Sequence, residues 1–171
     1  VLSDALLLYE GIFDRHADPA TGMVRWAVGG VGSETARVEL VASLDQVNAY
    51  GLLLAHVAPE PWRSRLRADL ARVARVLVGR FWSEELGLMR GTLHDPLEQG
   101  LGSRHTDFGH TVKALWMIER TGVLLGDADL ASWARERMPK VLERAFLPRD
   151  GCWASGLSRD GDLDAGVTRW I

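Results

Sequence analysis

Phe81-Trp82-Ser83-Glu84-Glu85-Leu86-Gly87-Leu88-Met89 opens with aromatics, crosses a short polar run containing acids, and reaches a glycine followed by apolar residues. The layout occurs twice more, in Phe13-Asp14-Arg15-His16-Ala17-Asp18-Pro19-Ala20-Thr21-Gly22-Met23-Val24 and in Phe146-Leu147-Pro148-Arg149-Asp150-Gly151-Cys152-Trp153. Gly22, Gly87 and Gly151 lie about 65 residues apart, a fixed period that marks an array of structural units. Each phrase has the chemistry of a helix exit, with a glycine available for positive φ. Each is followed by a short apolar run suited to one strand of a hairpin.

Outward from these phrases there is room for two helices per interval. The pattern predicts helices over about 35–57 and 60–80, then 106–123 and 128–146. Pro59-Glu60-Pro61 breaks the first pair and Gly126-Asp127 the second. In the second helix of the first pair, Leu66, Leu70, Val73, Leu77 and Val78 form an apolar stripe, and its arginines lie mostly off it. The first helix of each pair is apolar over more of its circumference, as in Leu52-Leu53-Leu54 and Leu115-Trp116-Met117-Ile118, which predicts burial all round. Inner and outer helices therefore alternate. A ring of helical hairpins fits this, and so does a plain stacked solenoid.

The 171 residues are 47% hydrophobic, enough for one domain with a real core. Net charge is −3 with both signs interspersed, so bulk charge points to neither nucleic acid nor an anionic membrane. The arginines of 63–80 have acids beside them and read as a solvated outer face. No run is long and apolar enough to span a bilayer. The lone Cys152 can form no internal disulfide, which suits a reducing, cytoplasmic compartment. Val1 in place of Met, and Ile171 inside an apolar phrase, give the expectation of a chain truncated at the C-terminus and also at the N-terminus, with 1–171 as one partial domain. Trp82, Trp116 and Trp133 are expected in the core. Trp26, Trp153 and Trp170 follow repeat turns, where an aromatic ring packs at a rim or stacks on a sugar.

Polar residues at the starts of inner helices are the candidates for chemistry. The second inner helix opens Arg104-His105-Thr106-Asp107-Phe108-Gly109-His110-Thr111-Val112-Lys113. Asp107, His110 and Thr111 share a face by i+3/i+4 spacing, with Lys113 next to His110. Histidine changes charge near neutral pH, which suits proton abstraction and return. A histidine bonded to backbone or to Asp107 near a helix start is the structural alternative. The first inner helix carries Ser43, Asp45, Gln46 and Asn48, where Asp45 is an acid/base candidate and Asn48 a sugar ligand, or both serve a helix end. The five histidines lack metal-ligand spacing, and no phosphate-binding glycine loop follows a strand, so neither metal nor cofactor is expected.

Phe108-Gly109-His110-Thr111-Val112-Lys113-Ala114-Leu115-Trp116 resembles the Gly-His-Asp-Ile-Glu segment of the N-acylglucosamine 2-epimerase family, which includes cellobiose 2-epimerases and mannose isomerases. Ser43-Leu44-Asp45-Gln46-Val47-Asn48-Ala49-Tyr50 is similar to that family's preceding inner helix, and Gly151-Cys152-Trp153 through Thr168-Arg169-Trp170 to its Gly-Gly-aromatic … Lys-His-Trp-Trp stretch. The resemblance covers about residues 35–171.

It implies an all-α (α/α)6 toroid of helical hairpins, with short β-hairpins after the outer helices and the active site at the centre. Six units at this period need about 390 residues, so about half of such a ring is expected here. It implies cofactor-free proton transfer next to a sugar carbonyl, with histidines as base and acid. His110 then matches the catalytic histidine. Lys113 stands where the family has Glu, and Asp45 about where it has an earlier His. Arg104, His105, Asp107, Lys113, Asn48 and Trp170 become expected contacts to a small sugar or oligosaccharide. The competing expectations are a six-hairpin glycoside hydrolase using Asp45 as acid/base, and a non-catalytic carbohydrate-binding domain.

Overall fold

The computed structural model describes residues 1–25, 38–45, 49–93, 106–157 and 162–164. Helix α1 (Leu2–His16) is followed by strand β1 (Val38–Glu39) and helices α2 (Leu40–Ser43), α3 (Ala49–Val57) and α4 (Trp62–Val76). A π-helical turn over Leu77–Phe81 leads to strands β2 (Trp82–Ser83), β3 (Leu88–Met89) and β4 (Thr92–Leu93). Helices α5 (Phe108–Leu125) and α6 (Ala128–Ala145) and strands β5 (Phe146–Leu147) and β6 (Cys152–Trp153) complete the order. The strands form two-stranded antiparallel ribbons, β1 with β4, β2 with β3 and β5 with β6.

The glycine turns match residue for residue. Gly22, Gly87 and Gly151 have φ of 67°, 61° and 63°. Each donates its N–H to the carbonyl four residues earlier, on Asp18, Ser83 and Leu147 at 2.6, 2.8 and 2.9 Å. Five residues before each glycine the helix ends on an extended residue, Ala17, Trp82 or Phe146, with ψ of 132°, 130° and 131°. Each of these pairs with the residue two after the glycine, Val24, Met89 or Trp153. The aromatics do not share this register: Phe146 corresponds to Trp82 and not to Phe81, and Phe13 lies a helical turn earlier. The reversal demands one positive-φ position, whereas an aromatic ring only has to fill space nearby.

Outer helices clasp these turns. Arg72 of α4 donates to the Gly22 carbonyl, and Arg144 of α6 to the Leu86 carbonyl beside Gly87. Arg72 is itself held by Asp69 at 2.6 Å and lies over the Phe13 ring at 5.4 Å. A turn carbonyl that would otherwise face solvent thus becomes a joint between successive units.

The first turn carries a further lock. Asp18 accepts hydrogen bonds from the Thr21 N–H and hydroxyl at 2.9 and 2.8 Å and an ion pair from Arg25 at 2.8 Å. Burial alone would raise the Asp18 carboxyl, but the Arg25 and Thr21 hydrogen bonds outweigh it and hold it below the usual carboxylate value. A depressed folded-state value contributes stability that is present above the unfolded value, near pH 4, and is lost as pH falls through the folded one. Asp18→Asn is therefore expected to cost about 1–3 kcal/mol at neutral pH and to flatten the acid limb below about pH 4. Urea melts at a series of pH values check this; an unchanged acid limb would contradict it.

Among the described residues, helices α5 and α6 form the most closely packed hairpin. Gly126 adopts the left-handed conformation (φ 75°), its N–H bonds to the Val123 carbonyl at 3.3 Å, and the Asp127 N–H bonds to the Gly122 carbonyl at 2.9 Å. This double bond closes α5. Asp127 then caps α6 by accepting the Leu130 N–H at 3.0 Å. Gly122 permits the close approach: a Cβ there would meet Ala131 N at 2.6 Å, Asp127 O at 2.9 Å and Ala131 Cα at 3.0 Å. Alanine normally stabilises a helix interior over glycine by about 0.5–1 kcal/mol. Here Gly122→Ala is expected to destabilise by about 1–3 kcal/mol, because backbone cannot swing aside as a side chain does. Gly11→Ala in α1 meets nothing within 4 Å and is the control expected to stabilise. Thermal melts with both variants shifted the same way would sink the argument.

The outer-helix stripe is as expected: Leu66, Leu70, Val73 and Leu77 are fully buried. Three other expectations are corrected. The first inner helix does not run unbroken from about 35: Val38–Glu39 is a strand, pairing with Thr92–Leu93, before α2 begins. The inner helices are not buried all round, since Leu53, Tyr50, Trp116 and Val123 are exposed. Trp116 is accordingly not a core residue, being 49% exposed, while Trp82 and Trp133 do pack, edge to face at 5.5 Å. A helix can be apolar on two faces when two neighbours are available to cover it, and among the described residues only one of those faces is covered.

Candidate functional site

Gly91 draws the starts of the two inner segments together. Its carbonyl accepts the Leu40 N–H at 2.9 Å where α2 begins, and its N–H donates to Thr106 Oγ1 at 2.8 Å just before α5. Nearby, Met89 donates its N–H to Thr111 Oγ1 at 3.0 Å, and that hydroxyl donates to the Asp107 carbonyl at 2.7 Å. Neither Gly91 nor Thr106 stands out in the sequence, because a backbone junction leaves no motif.

Asp107 has two tasks at the head of α5. Its Oδ1 caps the helix by accepting the His110 N–H at 2.7 Å, and its Oδ2 lies 2.6 Å from His110 Nδ1. The i, i+3 spacing seen in the sequence thus becomes one residue serving as cap and histidine anchor. Accepting from Nδ1–H fixes the tautomer in which Nε2 carries the lone pair. The His110 side chain is 19% exposed and that of Asp107 17%, so the pair is sheltered yet reachable.

One turn further, the Lys113 ammonium bonds to Asp45 Oδ1, across 68 residues of chain. The two residues are each other's partner. The pair ties α5 to the segment after α2. Asp45 lies in the π-helical residues that follow Ser43. Lys113, next to His110 in the helix, is directed to Asp45.

Beside this row lies an open groove of about 640 Å³ between α5, α6 and the β5–β6 hairpin. Phe108, Val112, Lys113, Trp116, Met138 and Trp153 are among its walls. Trp153, expected after a repeat turn either packed at a rim or as a stacking surface, is 51% exposed here and packs against Phe146 at 5.3 Å. The structure therefore brings Asp107, His110, Lys113 and Asp45 to one end of the inner helices. Asn48, Arg104, His105 and Trp170, and with them Trp26, lie outside the described residues. Among the described residues no three His, Cys, Asp or Glu side chains converge as metal ligands, and no helix is long and apolar enough to cross a membrane.

No family model and no curated protein matches the sequence. Among solved structures, the chain is similar to a sugar epimerase from a ruminal bacterium, with a TM-score of 0.62 at 19% sequence identity. The likeness covers 90% of this chain and 41% of that one, so the chain spans well under half of that structure's length. At this identity the likeness is one of fold. The fold is all-α, a partial helical toroid of hairpins with short β-hairpins after the outer helices.

Proposed function

We propose that this chain belongs to a carbohydrate epimerase- or isomerase-like protein, in which His110 moves a proton at the carbon next to a sugar carbonyl without a cofactor. The Asp107–His110 pair carries the reading. An imidazole anchored through Nδ1 at 2.6 Å presents Nε2 as a base, and the same anchor stabilises the imidazolium formed when the proton arrives. The fold likeness to a sugar epimerase supports the same substrate class. Asp45, on which a hydrolase mechanism would depend, has an oxygen engaged by Lys113.

The test is proton exchange in D₂O. Glucose, mannose and a reducing disaccharide are incubated with the protein, and the C2–H signal is followed by NMR. Loss of that signal with at least one of them is expected. If none exchanges while a glycoside is hydrolysed, and the hydrolysis disappears in Asp45→Asn, the hydrolase mechanism replaces this one. Sugar binding with neither reaction would point to a binding domain.

A further inference from the structure

We propose that Lys113 is the electrophile of this site, facing the carbonyl oxygen of an aldose in the α5–α6 groove, with Asp45 as its positioning residue. The assignment rests on the proton-transfer reading above and names the group that reading still lacks. Removing a proton next to a carbonyl places negative charge on the carbonyl oxygen, and a histidine alone does nothing for that charge.

Three observations converge on Lys113. Among the described residues it is the one charged side chain of the groove's walls, which are otherwise apolar or aromatic. A single cation in such surroundings is worth more to a developing oxyanion than the same cation in water. It stands at i+3 from His110, so the cation in the groove wall adjoins the base, which lies beside the groove and not among its walls. Its ammonium is held by Asp45 from another part of the chain, yet its side chain remains 29% exposed and that of Asp45 41%. An ammonium has three donors, so the bond to Asp45 leaves capacity for a substrate oxygen. The groove's volume suits a mono- or disaccharide, with the exposed Trp153 ring offering an apolar surface to the C–H face of a sugar.

The step balances without a further reactant. The C2–H bond breaks and its proton goes to His110 Nε2. The electron pair forms the C1=C2 bond, and the carbonyl π pair moves onto O1, which becomes an enediolate oxygen hydrogen-bonded to Lys113 Nζ. Return of a proton to carbon collapses the enediolate to a carbonyl.

Three variants are compared in the C2 exchange assay. Lys113→Met/Asp45→Asn leaves no unpaired charge and is expected to lower kcat by about 100-fold or more, with KM changed far less. Lys113→Arg, and Asp45→Asn alone, keep a cation at 113 and are expected to stay within about tenfold of wild type. A double variant with wild-type kcat overturns the assignment. So does an Asp45→Asn variant as slow as the double one, since the ion pair would then act only as a tie between segments. Failure is separable: no exchange by the wild-type protein overturns the proton-transfer reading and this assignment together. Exchange that is lost in His110→Ala but intact in the double variant overturns the Lys113 assignment alone.

Discussion

His110→Ala is expected to lower C2–H exchange by about 10²–10⁴-fold, the range for losing a positioned general base. Stability should change little, and the reason is local. The bond that caps α5 runs from the His110 backbone N–H to Asp107 Oδ1 at 2.7 Å, and alanine keeps that N–H. The 2.6 Å contact between Oδ2 and Nδ1 disappears. Asp107→Asn separates the two tasks of the carboxylate from the other side. Its carbonyl oxygen can still cap the helix, while its NH₂ cannot accept from Nδ1–H. Exchange should fall by about tenfold or more as the tautomer is lost, with the melting midpoint nearly unchanged. Exchange that survives His110→Ala would remove His110 from the chemistry and leave its bond to Asp107 as a structural feature of the helix start.

Phe81→Ala is expected to cost about 3–5 kcal/mol, the largest stability effect among the changes considered. Phe81 is fully buried at the end of the π-helical turn, and its carbonyl accepts the Arg90 N–H at 2.7 Å, so the surrounding backbone is poorly placed to collapse into the cavity. Phe146→Ala, in the similar phrase one period later, should cost under about 2 kcal/mol, since Phe146 is 39% exposed and its ring packs against the exposed Trp153. Urea denaturation of the two variants checks the contrast. Equal losses would mean that the third hairpin is covered by something beyond the described residues.

That contrast separates what was legible in the sequence from what was not. The spacing of Gly22, Gly87 and Gly151 was readable because a positive-φ reversal tolerates few residues, so the geometry leaves a mark at a defined position. The breaks at Pro59-Glu60-Pro61 and Gly126-Asp127, and the Leu66/Leu70/Val73/Leu77 stripe, were readable for the same kind of local reason. The Asp107–His110 pair was visible as i, i+3 spacing on one helix, where three residues of separation already imply contact.

Tertiary structure decided the rest. No spacing rule links Asp45 to Lys113 across 68 residues, and the two became an ion pair only when the chain folded. Trp116 looked like core by composition and is half exposed, because burial belongs to a helix's neighbours and not to its own residues. At the position two after each turn glycine, Val24 and Met89 are buried and Trp153 is not. The sequence determined where the chain reverses, since φ is a property of one residue. It could not determine what each reversal packs against, since that depends on segments far away in the chain.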